Sequence, residues 1–174
     1  MEEFYIRAKR IKLIVFDVDG VMTDGSLYLG DDGQEYKAFN SLDGHGMKML
    51  KRSGVELAII TGRTSMVVSK RAANLGVAHL YQGVEDKLEA WLKLRAELGL
   101  TAEECAFMGD DVVDLPAMRR SGLAISVPAA PAAVRQYAHY VTTLGGGRGA
   151  VREACEAIML AQGTLDAQLA PYLQ

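Results

Sequence analysis

Asp17, Asp19, Thr61, Lys87, Asp110 and Asp111 are side chains of the types that handle phosphate, and each follows an apolar run or opens a helical one. Leu13–Phe16 is four bulky apolar residues, too short for a helix, and Asp17-Val18-Asp19-Gly20 follows at once. A buried strand that ends in two carboxylates needs a cation or an ion partner there, because an unpaired charge beside an apolar core is costly. Hard carboxylate oxygens with few other ligands suit magnesium, which keeps several waters and is completed by substrate phosphate. The chemistry that follows is phosphoryl transfer. Metal and Lys87 would neutralise the equatorial oxygens, Thr61 and backbone amides would orient the group, and a carboxylate would remain as nucleophile. Asp17, straight off the strand and the most rigidly held, is the candidate nucleophile. Asp19, two residues on, reaches the leaving-group side as acid and then serves as base for water.

These groups meet only if the elements between them bring the strand ends to one edge. Ser26–Leu29, a turn at Gly30-Asp31-Asp32-Gly33, and Gln34–Phe39 read as a β-hairpin. Helices are expected over 43–52 with Asp43 as N-cap, about 65–75, and 85–98 with Lys87 in its first turn, stopping at Gly54, Gly76 and Gly99. Strands are expected at 55–60, 78–81, 105–108 and 123–127, with Tyr140-Val141 as a sixth. Thr101-Ala102-Glu103-Glu104 carries a capping-box pattern, and a helix containing Asp114, Leu115 and Met118 stops at Gly122. Alternating strands and helices indicate a doubly wound α/β fold with a mainly parallel, Rossmann-like sheet. One domain over 1–174 is expected, with a hairpin insertion at about 26–40 and a flexible C-terminal segment at about 163–174. The hairpin leaves Tyr28, Tyr36 and Phe39 without a further strand beside them, so it is expected to pack on another subunit. Gly145-Gly146-Gly147-Arg148-Gly149 has the flexibility to move or to reach out.

Composition excludes several classes. With 174 residues and 49% hydrophobic content the chain can bury a substantial core. A net charge of −3, with lysines and arginines scattered, gives no field for nucleic acid. No apolar run reaches membrane-spanning length and Met1-Glu2-Glu3 does not open a secretory signal, so neither membrane nor export is indicated and a cytoplasmic location is expected. Cys105 and Cys155 lack metal-ligand spacing and fit buried thiols.

The residues resemble the haloacid dehalogenase-like phosphatases. That family's four motifs are matched by Asp17-Val18-Asp19-Gly20, by Thr61 in Ile59-Ile60-Thr61-Gly62-Arg63, by Lys87, and by Gly109-Asp110-Asp111 with Asp114. The resemblance implies an aspartyl-phosphate on Asp17, acid/base work by Asp19, and magnesium held by Asp17, the backbone carbonyl of Asp19 and Asp110. A closer resemblance covers nearly the whole chain. Asp17–Gly25, the hairpin, Lys37-Ala38-Phe39-Asn40, Asp43-Gly44-His45-Gly46, His79-Leu80-Tyr81-Gln82-Gly83 and Gly146–Glu153 are similar to the 3-deoxy-D-manno-octulosonate 8-phosphate phosphatases. It implies hydrolysis of an octulosonate phosphate in Gram-negative lipopolysaccharide synthesis by a homotetramer without a large cap domain. Hairpins would pack around the tetramer axis, and a neighbouring subunit would supply a lid that includes Arg148. Substrate contacts would fall at Asp19, Asn40, Ser41, Leu42, Asp43, Gly44, Lys48, Arg63, Arg71 and Lys87, with Arg63 or Arg71 able to pair with the substrate carboxylate. Some members carry arginine where this chain has Leu42, so an ionic contact there is missing or supplied from elsewhere.

Plainer readings stand beside these. Thr61 could end a strand and cap a helix, and Asp111 and Asp114 could be first-turn acids favoured by the helix dipole, or orient Lys87 from behind, or both. Without the resemblance, Lys48, Arg71 and His45 read as solvated residues. A receiver domain also combines acids, Thr and Lys in an α/β sheet. There the adjacent acids follow the first strand, whereas here the adjacent pair comes at Asp110-Asp111, an order that argues for an enzyme. An inactive relative is opposed by the intact Asp17, Asp19, Lys87 and Asp110. Within the enzymes, a nonulosonate 9-phosphate phosphatase would show the same core chemistry.

Overall fold

The computed structural model describes residues 2–174. Its centre is β1 (Leu13–Phe16), fully buried and flanked by β4 (Glu56–Ile60) and β6 (Cys105–Met108). With β5 (His79–Tyr81), β7 (Leu123–Ser126) and β8 (Tyr140–Val141) these make a six-stranded sheet in the order β5-β4-β1-β6-β7-β8, every pairing parallel. A parallel sheet covered on both faces needs strands apolar on both sides, and β1, β6 and β7 are buried at every position.

Crossover helices α2 (Ser41–Arg52) and α3 (Met66–Leu75) follow β1 and β4, and α4 (Lys87–Glu97), α5 (Leu115–Met118) and the short α6 (Ala132–Arg135) serve the other strands. α7 (Ala150–Gln162) packs on α2, and α4 packs on α5 across the sheet. From β1 the chain winds outward to β4 and β5. From β6 it winds the other way. The reversal between β1 and β6 is the point at which doubly wound sheets open a crevice at the carboxyl ends of their strands. The expected doubly wound fold is therefore present.

Several local expectations are revised. α2 begins at Ser41 and is capped by Asn40, whose Oδ1 accepts from the amides of Leu42 (2.8 Å) and Asp43 (3.2 Å), so Asp43 is not its N-cap. Asp43 instead turns its carboxylate to the start of α7, where the amide of Arg152 donates to it at 2.8 Å and Gly149 can offer no side chain. Asp114 lies in a 3₁₀ turn, Val112–Asp114, ahead of α5. An amino-terminal helix, α1 (Glu2–Ala8), was not expected; Phe4 packs its ring 4.7 Å from that of Tyr140, and Gln162 donates to the carbonyls of Ala8 and Ile11. Residues 165–172 form α8 (Leu165–Leu169) and a 3₁₀ turn, with Tyr172 edge-on to His45. Among the described residues no helix is long and apolar enough to cross a membrane.

The hairpin pairs β2 (Tyr28–Leu29) only with β3 (Glu35–Tyr36). Tyr28 and Tyr36 are exposed as expected, and so are Leu27 and Leu29. Phe39 is not; it is half-buried against the core with the Arg71 guanidinium over its ring at 5.6 Å.

Because Asp43 is the cap that holds α7 onto α2, Asp43→Ala should lower the unfolding free energy by about 1–2 kcal/mol, read by denaturant titration. Unchanged stability would show that the carboxylate does not hold that helix.

Candidate active site

Register decides which side chains meet. Phe16 is level with Ile59 on one side and Met108 on the other, so Asp17, Thr61 and Asp110 leave the sheet within two residues of one level. The ladder continues past the strand ends, with the Asp17 amide donating to Met108 O (3.0 Å) and that of Thr61 to Tyr81 O (2.9 Å). Asp17 Oδ1 also accepts from the Val18 amide at 2.7 Å. Lys87, first residue of α4, is brought in from above the edge. A lysine at a helix N-terminus opposes the dipole, and two carboxylates offset this: Lys87 Nζ lies 2.9 Å from Asp17 Oδ1 and 2.6 Å from Asp114 Oδ1. Burial alone would lower its pKa, but the two acids hold it above the usual lysine range.

Asp114 is fully buried and fully used, its Oδ2 accepting from the amides of Asp110 (3.0 Å) and Asp111 (3.1 Å). Asp114 therefore meets Lys87 from behind. Asp111 does not share this contact; its carboxylate caps the turn through the Val112 amide at 2.7 Å.

One carboxylate oxygen from each of Asp17, Asp110 and Asp114 lies within 4.8 Å of the others. Like charges this close resist ionisation together. Burial, then Asp114, raises Asp17 to about 6, and burial, then Asp17 and Asp114, raises Asp110 to about 7. Asp110 Oδ1 is buried with no hydrogen-bond partner. An orphaned oxygen facing two more acids fits a hard divalent cation held between Asp17 and Asp110, with Asp114 already committed to Lys87 and the amides. Gly20 makes the seat: it sits at φ +89°, and a Cβ there would fall 1.9 Å from Asp110 Oδ2.

The side chain of Asp19 stands outside this group, so any part it plays with the cation belongs to its main-chain carbonyl in the turn Val18–Met22. Its carboxylate contacts Lys37 Nζ, with Arg63 Nε 3.9 Å away; Lys37 and Arg63 both reach Glu35, at 3.3 and 3.1 Å. Neither Lys37 nor Glu35 was singled out from sequence. The signal was there, since the alternation that turns Tyr36 outward turns both of its neighbours inward.

Asp17, Asp19, Thr61, Arg63, Lys87, Asp110 and Asp111 line one cavity of about 530 Å³. The Thr61 hydroxyl makes no hydrogen bond among the described residues and faces that space. Ser41, Gly44, Lys48 and Arg71 line a separate hollow of about 170 Å³ instead. Arg71 donates to Asn40 O at 3.1 Å, Asn40 is spent on its cap, Leu42 is exposed, and Asp43 faces α7, so within one chain these do not reach the phosphate cavity. A larger groove of about 730 Å³ lies at the opposite strand ends, where Lys12 pairs with Glu104 and no acids converge.

The glycine run is not a free flap. Gly147 donates to Val21 O at 3.0 Å, and a Cβ on Gly146 would fall 1.9 Å from Gly20 O, so the loop rests on the Val18–Met22 turn of its own chain. Glu153 anchors it by accepting from the amides of Thr143 and Leu144. Arg148 pairs with Asp24 at 3.1 Å.

A model of the haloacid dehalogenase-like hydrolases matches residues 29–122. The 3-deoxy-D-manno-octulosonate 8-phosphate phosphatase KdsC of Yersinia pestis is 49% identical over 160 residues, covering 92% of this chain and 86% of the relative. This chain belongs to the octulosonate 8-phosphate phosphatases of that superfamily. The enzyme of that name from Moraxella catarrhalis, solved with magnesium, phosphate and KDO, matches with a TM-score of 0.97 at 48% identity, covering 99% of each chain. A probable YrbI family phosphatase from Pseudomonas syringae pv. phaseolica matches with a TM-score of 0.99 at 53% identity, over 100% of this chain and 99% of the other.

Asp17 and Asp110 titrate well above their ordinary 3.8, so their burial favours folding while they are protonated, and that contribution is lost as pH rises through about 6 to 7. Added magnesium should therefore raise the thermal midpoint little at pH 5 and by about 5 °C or more at pH 8. An equal rise at both values would contradict this electrostatic picture.

Proposed function

We propose that this chain hydrolyses 3-deoxy-D-manno-octulosonate 8-phosphate to 3-deoxy-D-manno-octulosonate and phosphate, with magnesium, in lipopolysaccharide synthesis. The observation that carries the reading is Lys87 clamped between Asp17 and Asp114 beside the orphaned oxygen of Asp110, in a chain of this family. That arrangement leaves one oxygen of Asp17 free to attack, since the other is taken by Lys87 and the Val18 amide. The magnesium complex of the Moraxella catarrhalis relative supports the choice of cation.

Asp17 attacks phosphorus in line, and the P–O bond to the sugar breaks as Asp19 gives its proton to the departing oxygen. Lys87 and the Thr61 hydroxyl hold phosphoryl oxygens, and Arg63, the most exposed cation at the cavity, faces the carboxylate end of the sugar. Asp19 then takes a proton from water, which attacks the aspartyl-phosphate, frees phosphate and restores Asp17. A cation between Asp17 and Asp110 would supply charge neutralisation for the phosphoryl group. Asp17 at about 6 is ionised at neutral pH, as a nucleophile must be.

The chain is inferred to act as one catalytic domain in the cytoplasm and as a homotetramer. Leu27, Tyr28, Leu29 and Tyr36 are 46–66% exposed on a two-stranded ribbon too small to be stable alone, which supports packing of hairpin on hairpin. In such an assembly Arg148 and the hollow beside Arg71 would meet a neighbouring chain.

Phosphate release should require magnesium and favour the eight-carbon keto-acid phosphate over the nine-carbon compound and simple hexose phosphates by about tenfold or more. Asp17→Asn should abolish it while leaving the fold intact. Comparable rates on the nine-carbon substrate would retract the pathway, and full activity of Asp17→Asn would reject the nucleophile. By sedimentation, Leu29→Asp with Tyr36→Asp should convert tetramer to smaller species; an unchanged sedimentation coefficient would remove the hairpin from the interface.

A further inference from the structure

The acids of this site are held in different ways. Asp17 is fixed by the Val18 amide and Lys87, Asp114 by two amides and Lys87, and Asp110 by its seat against Gly20. Asp19 has none of these. No backbone amide donates to its carboxylate among the described residues, and its own φ and ψ of −72° and 119° are non-helical inside the Val18–Met22 turn. Its one hydrogen-bond donor is Lys37, from the far end of the hairpin, and its one other cationic neighbour is Arg63 at 3.9 Å.

Lys37 in turn has no other occupation. Its side chain is 1% exposed, on a hairpin whose Leu27, Tyr28, Leu29 and Tyr36 are open to solvent, and among the described residues its ammonium pairs only with Asp19 and Glu35. Burying an ammonium costs several kcal/mol unless it is paired, so a lysine kept there fixes whatever it pairs with. Arg63 is half-exposed, lines the cavity and faces the substrate side. When a substrate carboxylate draws Arg63 away, Lys37 is the contact that remains on Asp19.

We propose that Lys37, held by Glu35, is the positioning residue for the acid/base: the hairpin delivers it so that Asp19 stays aimed at the leaving-group oxygen. The proposal rests on Asp19 acting as acid, as argued above. Lys37 does not line the cavity, and its ion pairs are with Asp19 and Glu35 rather than with Asp17 or Asp110.

The test compares two leaving groups in the full-length enzyme with magnesium. A sugar alkoxide needs a proton to depart, whereas p-nitrophenolate leaves without one, so kcat/KM for the two separates acid catalysis from phosphate binding. Lys37→Met should lose about tenfold or more on the keto-acid sugar phosphate and stay within about threefold on p-nitrophenyl phosphate, and Lys37→Arg should recover part of the loss. In an Asp19→Asn background Lys37→Met should cost nothing further on the sugar phosphate. Equal losses on both substrates, or full additivity with Asp19→Asn, would overturn the positioning role and leave Lys37 a hairpin anchor. If Asp19→Asn itself lost both substrates equally, the acid assignment would fall first, a separable result. Should Lys37→Met not fold, Lys37→Gln, which keeps a donor and part of the stem, carries the same comparison.

Discussion

Everything at this site follows from crowding carboxylates where the sheet divides. Asp17, Asp110 and Asp114 each bring an oxygen within 4.8 Å of the others at the carboxyl ends of β1 and β6, largely out of water. Three such charges are tolerable only with cations among them. Lys87 supplies one positive charge, and because it meets Asp17 at Oδ1, the oxygen that also accepts from the Val18 amide, the other oxygen of Asp17 is left open. The remaining deficit sits on Asp110, whose unpartnered oxygen and raised pKa mark where a divalent ion belongs. The same repulsion that would destabilise the empty site is what makes it bind metal.

Room for this crowding is made by omitted side chains. Gly20 leaves space for the Asp110 carboxylate, Gly109 for the Asp114 side chain, and Gly146 lets the following loop close on Gly20 from behind. The Val18–Met22 turn is thus backed by a segment more than a hundred residues later, itself fixed by Glu153 in α7, which Asp43 caps from α2. Helix α7 carries no chemistry yet sets the height of the turn that does.

What was legible in the sequence divides along the range of the interactions. Asp17, Thr61 and Asp110 each end a run of buried apolar residues, and Lys87 opens a helix, so local pattern alone placed them at one edge. Asp43 was misread as the N-cap of α2 because its partner, the Arg152 amide, is 109 residues away. The glycine run looks mobile by composition, and only its nonlocal contact with Gly20 shows otherwise. Lys37 follows the two-residue strand β3, and although alternation turns it inward, nothing nearby reveals that its target lies 18 positions earlier. Helix α1 is seven residues with two buried side chains, too short a period to detect before its partners in β8 and α7 are known.

The hydrolysis proposed for this site turns on the covalent role of Asp17. The direct measurement is an acid-quenched single turnover with phosphoryl-labelled keto-acid sugar phosphate, followed by peptide mapping. Label on the peptide containing Asp17, appearing before free phosphate and absent in the metal-free enzyme, is the expected result. Phosphate release at full rate with no labelled protein, or label on another residue, would contradict it.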